Sequence, residues 1–326
     1  MRASTDTIGP DFKLEWVKLK DLITRNESTV LGKFLGDRNV SKECFIRFLI
    51  EQVESRASNG HAWVLQNFDE KMETIEGFAM VEEAVWDSHH FGKRIGKLTL
   101  SIYDPVVTQE KRRTTFEALA EKTKLDMISA RVNLNDLRTI QALQNIGGIL
   151  TDILLTFRFD LGDHVPLPTV SNMKILPANE TEAEELATLG GRIFQVDRFH
   201  GDENLPRSKS DELYSKWVGN SVRGKADRVL VARDNDRIAG FITCKLERIA
   251  PSDNIGIIDL VGVNPSFAGQ GVGSNLVYSA LMWFHGKVQS VYVGTQAANF
   301  RAVRLYENSR FVHTCSEATL HLWFDR

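Results

Sequence analysis

Three glycines at alternate positions, Gly269, Gly271 and Gly273, stand between an apolar run and an amphipathic one. The run Ile257–Val263 fits a mostly buried strand. Asn264-Pro265 stops it, because proline cannot donate to a ladder and pushes the preceding residue out of helical geometry. Beyond the glycines, Leu276, Val277, Ala280, Leu281 and Phe284 recur at helical spacing, Gly286 closes the helix, and Val288–Thr295 reads as the next strand. A glycine-rich turn at a helix N-terminus can hold an anion. The first-turn N–H groups lack intrahelical partners, the helix dipole favours negative charge, and missing side chains let a phosphate come close. Two phosphate motifs are excluded by spacing: Ser274 stands where G-x-G-x-x-G needs its third glycine, and no P-loop lysine is in place. The glycines alone also allow an ordinary tight turn.

Other residues with chemical potential carry weaker signals. His89 and His90 are adjacent, and on a strand neighbours point to opposite faces, so no metal site is expected there. Cys44, Cys244 and Cys315 are odd in number and widely spaced; they fit buried thiols in a reducing cytoplasm and form no zinc pattern. Lys111-Arg-Arg113 reads as a solvated helix start. A net charge of −3 gives no field for nucleic acid or an acidic membrane. No apolar run approaches the ~20 residues that span a bilayer, and MRASTDTIGPDF lacks a signal-peptide apolar region. A cytoplasmic protein is expected.

The elements that must position the glycine turn belong to a chain of 326 residues, long enough for two domains. Residues 1–60 read as a mainly helical extension, with Trp16, Leu19, Leu22 and Ile23 on one face and Phe45, Phe48, Leu49 and Val53 on another. Ala62–Phe68 and Ile75–Glu82 make a hairpin. The segment Trp86–Gly96 reads as a loop before a strand at Lys97–Tyr103. Helices at Thr114–Lys124 and Asp136–Asn145 alternate with strands at Met127–Val132 and Leu150–Phe159, so residues 61–165 argue one α/β domain. A proline-bearing linker, Leu161–Pro168, leads to a second α/β domain over 172–326. Its expected elements are a strand at Met173–Leu176, helices at Glu180–Gly190 and Tyr214–Val222, a hairpin of Arg228–Arg233 with Ile238–Glu247, the glycine-turn unit, and a last strand at Leu320–Phe324.

Val263-Asn-Pro265 followed by Ala268-Gly-Gln-Gly-Val-Gly273 resembles the acetyl-coenzyme A motif Q/R-x-x-G-x-G/A of the GCN5-related N-acetyltransferases. Ala268 departs from it, standing where that family usually has Gln or Arg; a side-chain contact to the pyrophosphate is lost while the backbone cradle is kept. Asn299 and Tyr306 stand where the family keeps its later residues, and the element order is the family's. A narrower resemblance covers residues 84–326. Trp86-Asp-Ser-x-x-Phe-Gly92, Arg198-Phe-His-Gly-Asp202 and Tyr214-x-x-Trp217-x-x-Asn220 are similar to the bacterial dTDP-fucosamine acetyltransferases. Those enzymes acetylate the 4-amino group of a nucleotide-linked deoxysugar, and their N-terminal α/β domain is a partial acetyltransferase-like half.

The resemblance implies the following site. A splayed strand, Asp259–Val263, offers backbone groups to the pantetheine arm, with Val261 and Val263 as contacts and an N–H near Val261 polarising the thioester carbonyl. Gln270, Gly271, Val272, Gly273, Ser274 and Asn275 hold the pyrophosphate, and Asn299 bonds the pantetheine. Tyr306 is the general acid for the leaving thiolate; a packed helix aromatic is the plainer reading. Asp259 is the candidate base, with a structural carboxylate or water as alternatives, and Arg198, His200 and Asp202 are candidates for substrate contact. Acetyl-coenzyme A is the expected donor and a nucleotide amino-sugar the expected acceptor; a homodimer is compatible. Another small amine, such as an amino acid or antibiotic, is the alternative acceptor. A non-catalytic acyl-coenzyme A-binding protein is the alternative class. The C-terminal half is expected to bind acetyl-coenzyme A alone.

Overall fold

The computed structural model describes residues 16–26, 42–58, 62–69, 71, 73–162, 173–250 and 253–324. Contacts divide the chain into two units, residues 1–153 with 315–326, and residues 154–314. The boundaries expected from sequence, near the 161–168 segment and at the C-terminus, differ from this division, and both differences come from long strands. Most of the expected linker lies outside the described residues.

The first unit holds α1 (Trp16–Arg25), α2 (Lys42–Ser58), β1 (Ala62–Phe68), β2 (Ile75–Glu83), α3 (Val85–Phe91), β3 (Ile95–Tyr103), α4 (Gln109–Thr123), β4 (Met127–Asn133), α5 (Leu137–Asn145) and the start of β5 (Ile149–Asp160). Strands run β1-β2-β3-β4, with residues 317–323 of the chain's last strand antiparallel on β4. Strand alternation feeds two cores. Val64, Phe78, Met80 and Ile102 pack with Leu19, Leu22, Ile23 and Val53 of the two N-terminal helices. Leu65, Ala79, Val81, Leu98 and Ala130 pack with Phe116, Leu119, Ile140 and Leu143 of α4 and α5. The N-terminal helices therefore share a core with the sheet in place of the separate extension expected. The side chains of Trp16, Cys44 and Phe45 lie outside the described residues.

Two expectations in this unit are corrected. Val85–Phe91 is a helix, closed by Gly92 at φ 67°, where a loop was read. His89 and His90 thus share a helix, and His90 is buried, stacked on Trp86 with ring centres 5.9 Å apart. The Lys111–Arg113 run is not simply solvated: Arg112 is 3% exposed. Its Nη1 lies 2.6 Å from Asp136 Oδ1, and its guanidinium sits 4.7 Å above the Tyr103 ring. The carboxylate that caps α5 also neutralises the buried cation.

The second unit holds residues 154–160 of β5, then β6 (Lys174–Pro177), α6 (Ala183–Ile193), α7 (Arg207–Asn220), β7 (Arg228–Asp234), β8 (Arg237–Ala250), β9 (Asp253–Val263), α8 (Val272–Phe284), β10 (Ser290–Gln296), α9 (Phe300–Asn308) and the beginning of β11 (Val312–Trp323). Its strands run β5-β10-β9-β8-β7-β6, all antiparallel except the parallel pair β9–β10. One face packs α8 and α9 through Leu276, Val277, Leu281, Phe284 and Tyr306. On the other, a side chain at Gly262 would meet Ile193 of α6 at 2.5 Å, and one at Gly190 would meet Val218 of α7 at 2.6 Å. Gly190 and Gly191 were read as the end of a helix; they are seats for the α7 backbone, and α6 runs on to Ile193. The helix α7 starts earlier than expected because its polar first turn, Arg207-Ser-Lys-Ser210, carries no apolar signal.

Candidate active site

Strands β9 and β10 pair only at Gly256–Ile258 with Val291–Val293, although both continue. Beyond Ile258 they part. β9 stays on β8, through Val263↔Gly240, and β10 stays on β5, through Gln296↔Leu154. Asp259 marks the point of departure. The β8–β9 register slips between Cys244 and Thr243, leaving Asp259 as the extra residue of a bulge that bends the strand away.

Main-chain direction beyond the bulge follows from the hydrogen bonds. The Leu260 N–H donates to Thr243 Oγ1 at 2.9 Å and the Asn264 N–H to Ala239 O at 2.9 Å, both toward β8. Since amide direction alternates along a strand, Val261 and Val263 turn their N–H and C=O groups to the open side. Extended backbone with free donors and acceptors is what an amide-bearing arm such as pantetheine pairs with.

At the mouth of this opening lies the glycine turn. Gly269 and Gly271 adopt φ of 77° and 75°, the left-handed region that favours glycine. Gly271 is the N-cap of α8, and among the described residues no hydrogen bond takes the N–H groups of Val272, Gly273 or Ser274. Asn275 turns inward instead, its Nδ2 donating to Gly271 O at 3.0 Å and bracing the turn. Gln270 reaches back to Ser266 O at 3.4 Å. Gly273 has a packing reason: a Cβ there would stand 3.1 Å from Leu305 of α9. Three outward amides on a helix dipole fit a pyrophosphate without the side chain that Ala268 does not supply.

α9 carries the two remaining donor-side candidates. Asn299 is its N-cap, Oδ1 accepting the Ala302 N–H at 3.2 Å, so its backbone-facing oxygen is already engaged. Tyr306 is 4% exposed, its ring 5.9 Å from both Phe157 and Phe311. Burial pushes its phenol well above the ordinary value near 10.

On the α6–α7 side, Asp259 Oδ2 accepts the Trp217 Nε1–H at 3.0 Å and pairs with Lys245 Nζ at 2.7 Å. Trp217 stacks on Tyr214, which stacks on Phe194 and His200. His200 is enclosed, its side chain 2% exposed between Asp197 and Asp211. Asp202 is 2% exposed and spends Oδ1 on the Asn204 backbone and side chain, at 2.9 and 3.0 Å. Arg198 lies over the Phe199 ring at 4.1 Å.

Residues 192–311 match the Acetyltransferase (GNAT) family. They form a GNAT acetyltransferase domain. The chain is an N-acetyltransferase that takes its acetyl group from acetyl-coenzyme A. It is 24% identical over 292 residues, 87% of this chain and 96% of the relative, to the spore coat polysaccharide biosynthesis protein SpsD of Bacillus subtilis. It is 29% identical over 177 residues to a mycothiol acetyltransferase of Brachybacterium faecium, 52% of this chain and 51% of the relative. A GCN5-related N-acetyltransferase from Sphaerobacter thermophilus superposes with a TM-score of 0.59 at 14% identity, covering 97% of this chain and 94% of that one. No helix of the described residues is long and apolar enough to cross a membrane.

Within the GNAT domain the open edge brings together Val261, Val263 and the 270–275 turn, and the bulge sets Asp259 beside Trp217. The predicted substrate contacts are less available than expected: the His200 and Asp202 side chains are inward and engaged. Sequence reasoning missed Thr243, Lys245, Asp197 and Asp211. The first two carry no signal on a strand. Asp197 had one, since an acid three residues before a histidine reaches it within one turn; Asp211, eleven residues after His200, had none.

Proposed function

We propose that this chain acetylates the amino group of a nucleotide-linked amino-deoxysugar by direct attack, with Tyr306 as general acid. The observation that carries the reading is the parting of β9 and β10 against the open first turn of α8. In it, Val261 and Val263 would receive the pantetheine arm and residues 270–275 the pyrophosphate. Bound acetyl-coenzyme A supplies an activated thioester. The Val261 N–H polarises its carbonyl, the Tyr306 O–H protonates the departing sulfur, and the proton shed by the nitrogen goes to Asp259 or to solvent. Tyr306 recovers its proton from solvent, so the balance is amine plus thioester to amide plus thiol. Asn299 holds pantetheine through its amide nitrogen, its oxygen being the helix cap.

A sugar acceptor is supported by the Bacillus subtilis relative, named for polysaccharide biosynthesis and matched along most of both chains. The second reading, another small amine, draws on the mycothiol acetyltransferase match within the GNAT half. Thiol release from acetyl-coenzyme A, followed with dTDP-4-amino-4,6-dideoxygalactose, glucosamine, lysine and spermidine, separates them. The proposal expects kcat/KM for the nucleotide sugar to exceed that of the simple amines by at least about 100-fold, roughly 2.7 kcal/mol of transition-state preference. A simple amine turned over as well or better overturns it.

A further inference from the structure

Acetyl transfer as described gives no task to His200, whose side chain is enclosed. His200 Nδ1 lies 2.5 Å from Asp197 Oδ2, and Nε2 lies 3.1 Å from Asp211 Oδ1. Both ring nitrogens therefore face carboxylates, which only the imidazolium satisfies with two N–H donors. Asp197 belongs to the 194–206 loop and ties it locally, its Oδ1 accepting the Phe199 and His200 N–H groups at 2.7 and 3.2 Å. Asp211 belongs to α7 and also accepts from Gln195 Nε2 at 2.7 Å, while Arg207 bonds the Gln195 oxygen. The histidine is thus a cationic pin between loop and helix.

The same ring continues into the site. His200 stacks on Tyr214 with centres 6.1 Å apart and planes at 23°; Tyr214 stacks on Trp217 at 5.8 Å and 17°. Trp217 Nε1 donates to Asp259 at the bulge of β9. We infer that His200 is a positioning residue for acetyl transfer: it locks the 194–206 loop onto α7 and, through Tyr214 and Trp217, fixes the indole N–H that orients Asp259 at the open strand edge. This rests on the acetyltransferase assignment of the site and not on which amine is the acceptor.

The charge state supports the arrangement. Burial lowers the basicity of His200, but the hydrogen bonds and charges of Asp197 and Asp211 outweigh it, and the net shift is upward from about 6.5. A raised folded value means the pin's contribution is complete below the unfolded value and is lost as pH climbs through the folded one.

Trp217 reports on the pin without any acceptor. In protein labelled with ¹⁵N-tryptophan, Trp217→Phe assigns the Trp217 indole signal. The expected result is an indole N–H shift that titrates with a midpoint above 6.5 and coincides with that of the His200 ring nitrogens. Asp211→Asn removes one carboxylate and is expected to move both midpoints to lower pH. His200→Gln is expected to abolish the indole titration, and to raise the acceptor KM by about tenfold or more while the acetyl-coenzyme A KM changes less than about twofold. An indole signal that stays flat through the His200 titration, or that titrates unchanged in folded His200→Gln, overturns the inference. Equal rises in both KM values overturn it too. If His200→Gln does not fold, the Asp211→Asn midpoints decide. If the nucleotide sugar is not turned over, the acceptor proposal falls, and the indole titration still decides the role of His200.

Discussion

Tyr306 is packed in the core, and the proposed mechanism asks the same side chain to act as an acid. Its ring belongs to the core between Phe157 and Phe311, and the same burial that packs it keeps its phenol protonated. Because the shift is upward from about 10, the acid form persists across the neutral range, and any basic limb due to Tyr306 falls beyond the ordinary phenol value. Tyr306→Phe is expected to lower kcat by ~10²–10⁴ with acetyl-coenzyme A affinity unchanged. Tyr306→Ala is expected to add a loss of about 3–5 kcal/mol in thermal melts by opening a cavity. Normal turnover in a folded Phe variant removes Tyr306 from the mechanism. At this scale the sequence told unevenly. The helix that carries Tyr306 was legible from its periodicity, while the acid role came from the family resemblance alone. The Trp217–Asp259 bond joins residues 42 positions apart, and no local pattern announces it. His200 was read as a substrate contact by resemblance, and nothing in the sequence said that its ring faces two carboxylates.

Among elements, the order strand, turn, helix around Gly271 was legible, since glycine spacing, a proline stop and helical periodicity all act locally; the strand's start at Asp253 and its bulge at Asp259 were not. Gly271 sits at φ 75° with no side-chain cap, and the amides of the next three residues point outward. Gly271→Asp therefore does two things: it strains a left-handed position and places a carboxylate where the phosphates are expected. Other elements were misread for physical reasons. Val85–Phe91 is one short helix whose polar residues mimic a loop, and it depends on Gly92 and on Ser88 Oγ, which accepts the Ile95 N–H at 2.9 Å. The Gly190-Gly191 pair is ambiguous in sequence, because close helix packing and a helix stop both call for a missing side chain. The last strand was read five residues long; it runs from Val312 to Trp323, its first half too polar to show alternation.

For the whole molecule, the two compact units do not coincide with an N-terminal and a C-terminal half. Leu154–Asp160 pairs with all seven residues of β10 and brings Phe157 and Phe159 into the GNAT core. A fragment of residues 172–326 lacks both rings and the strand that carries them. At about 3–5 kcal/mol for each large aromatic, against a total stability of about 5–15 kcal/mol, it is expected to show no cooperative melt, contrary to the expectation that this half binds acetyl-coenzyme A alone. A cooperative transition near that of the full chain contradicts this. The central claim, that the parted strands and the first turn of α8 receive acetyl-coenzyme A, is tested most directly by calorimetric titration of the cofactor into the full chain and into Gly271→Asp. The account predicts saturable one-to-one binding to the first, and binding weakened at least about tenfold, roughly 1.4 kcal/mol, in a Gly271→Asp protein that still melts cooperatively. Equal affinity in the two proteins, or no binding to the folded wild-type chain at millimolar cofactor, contradicts it.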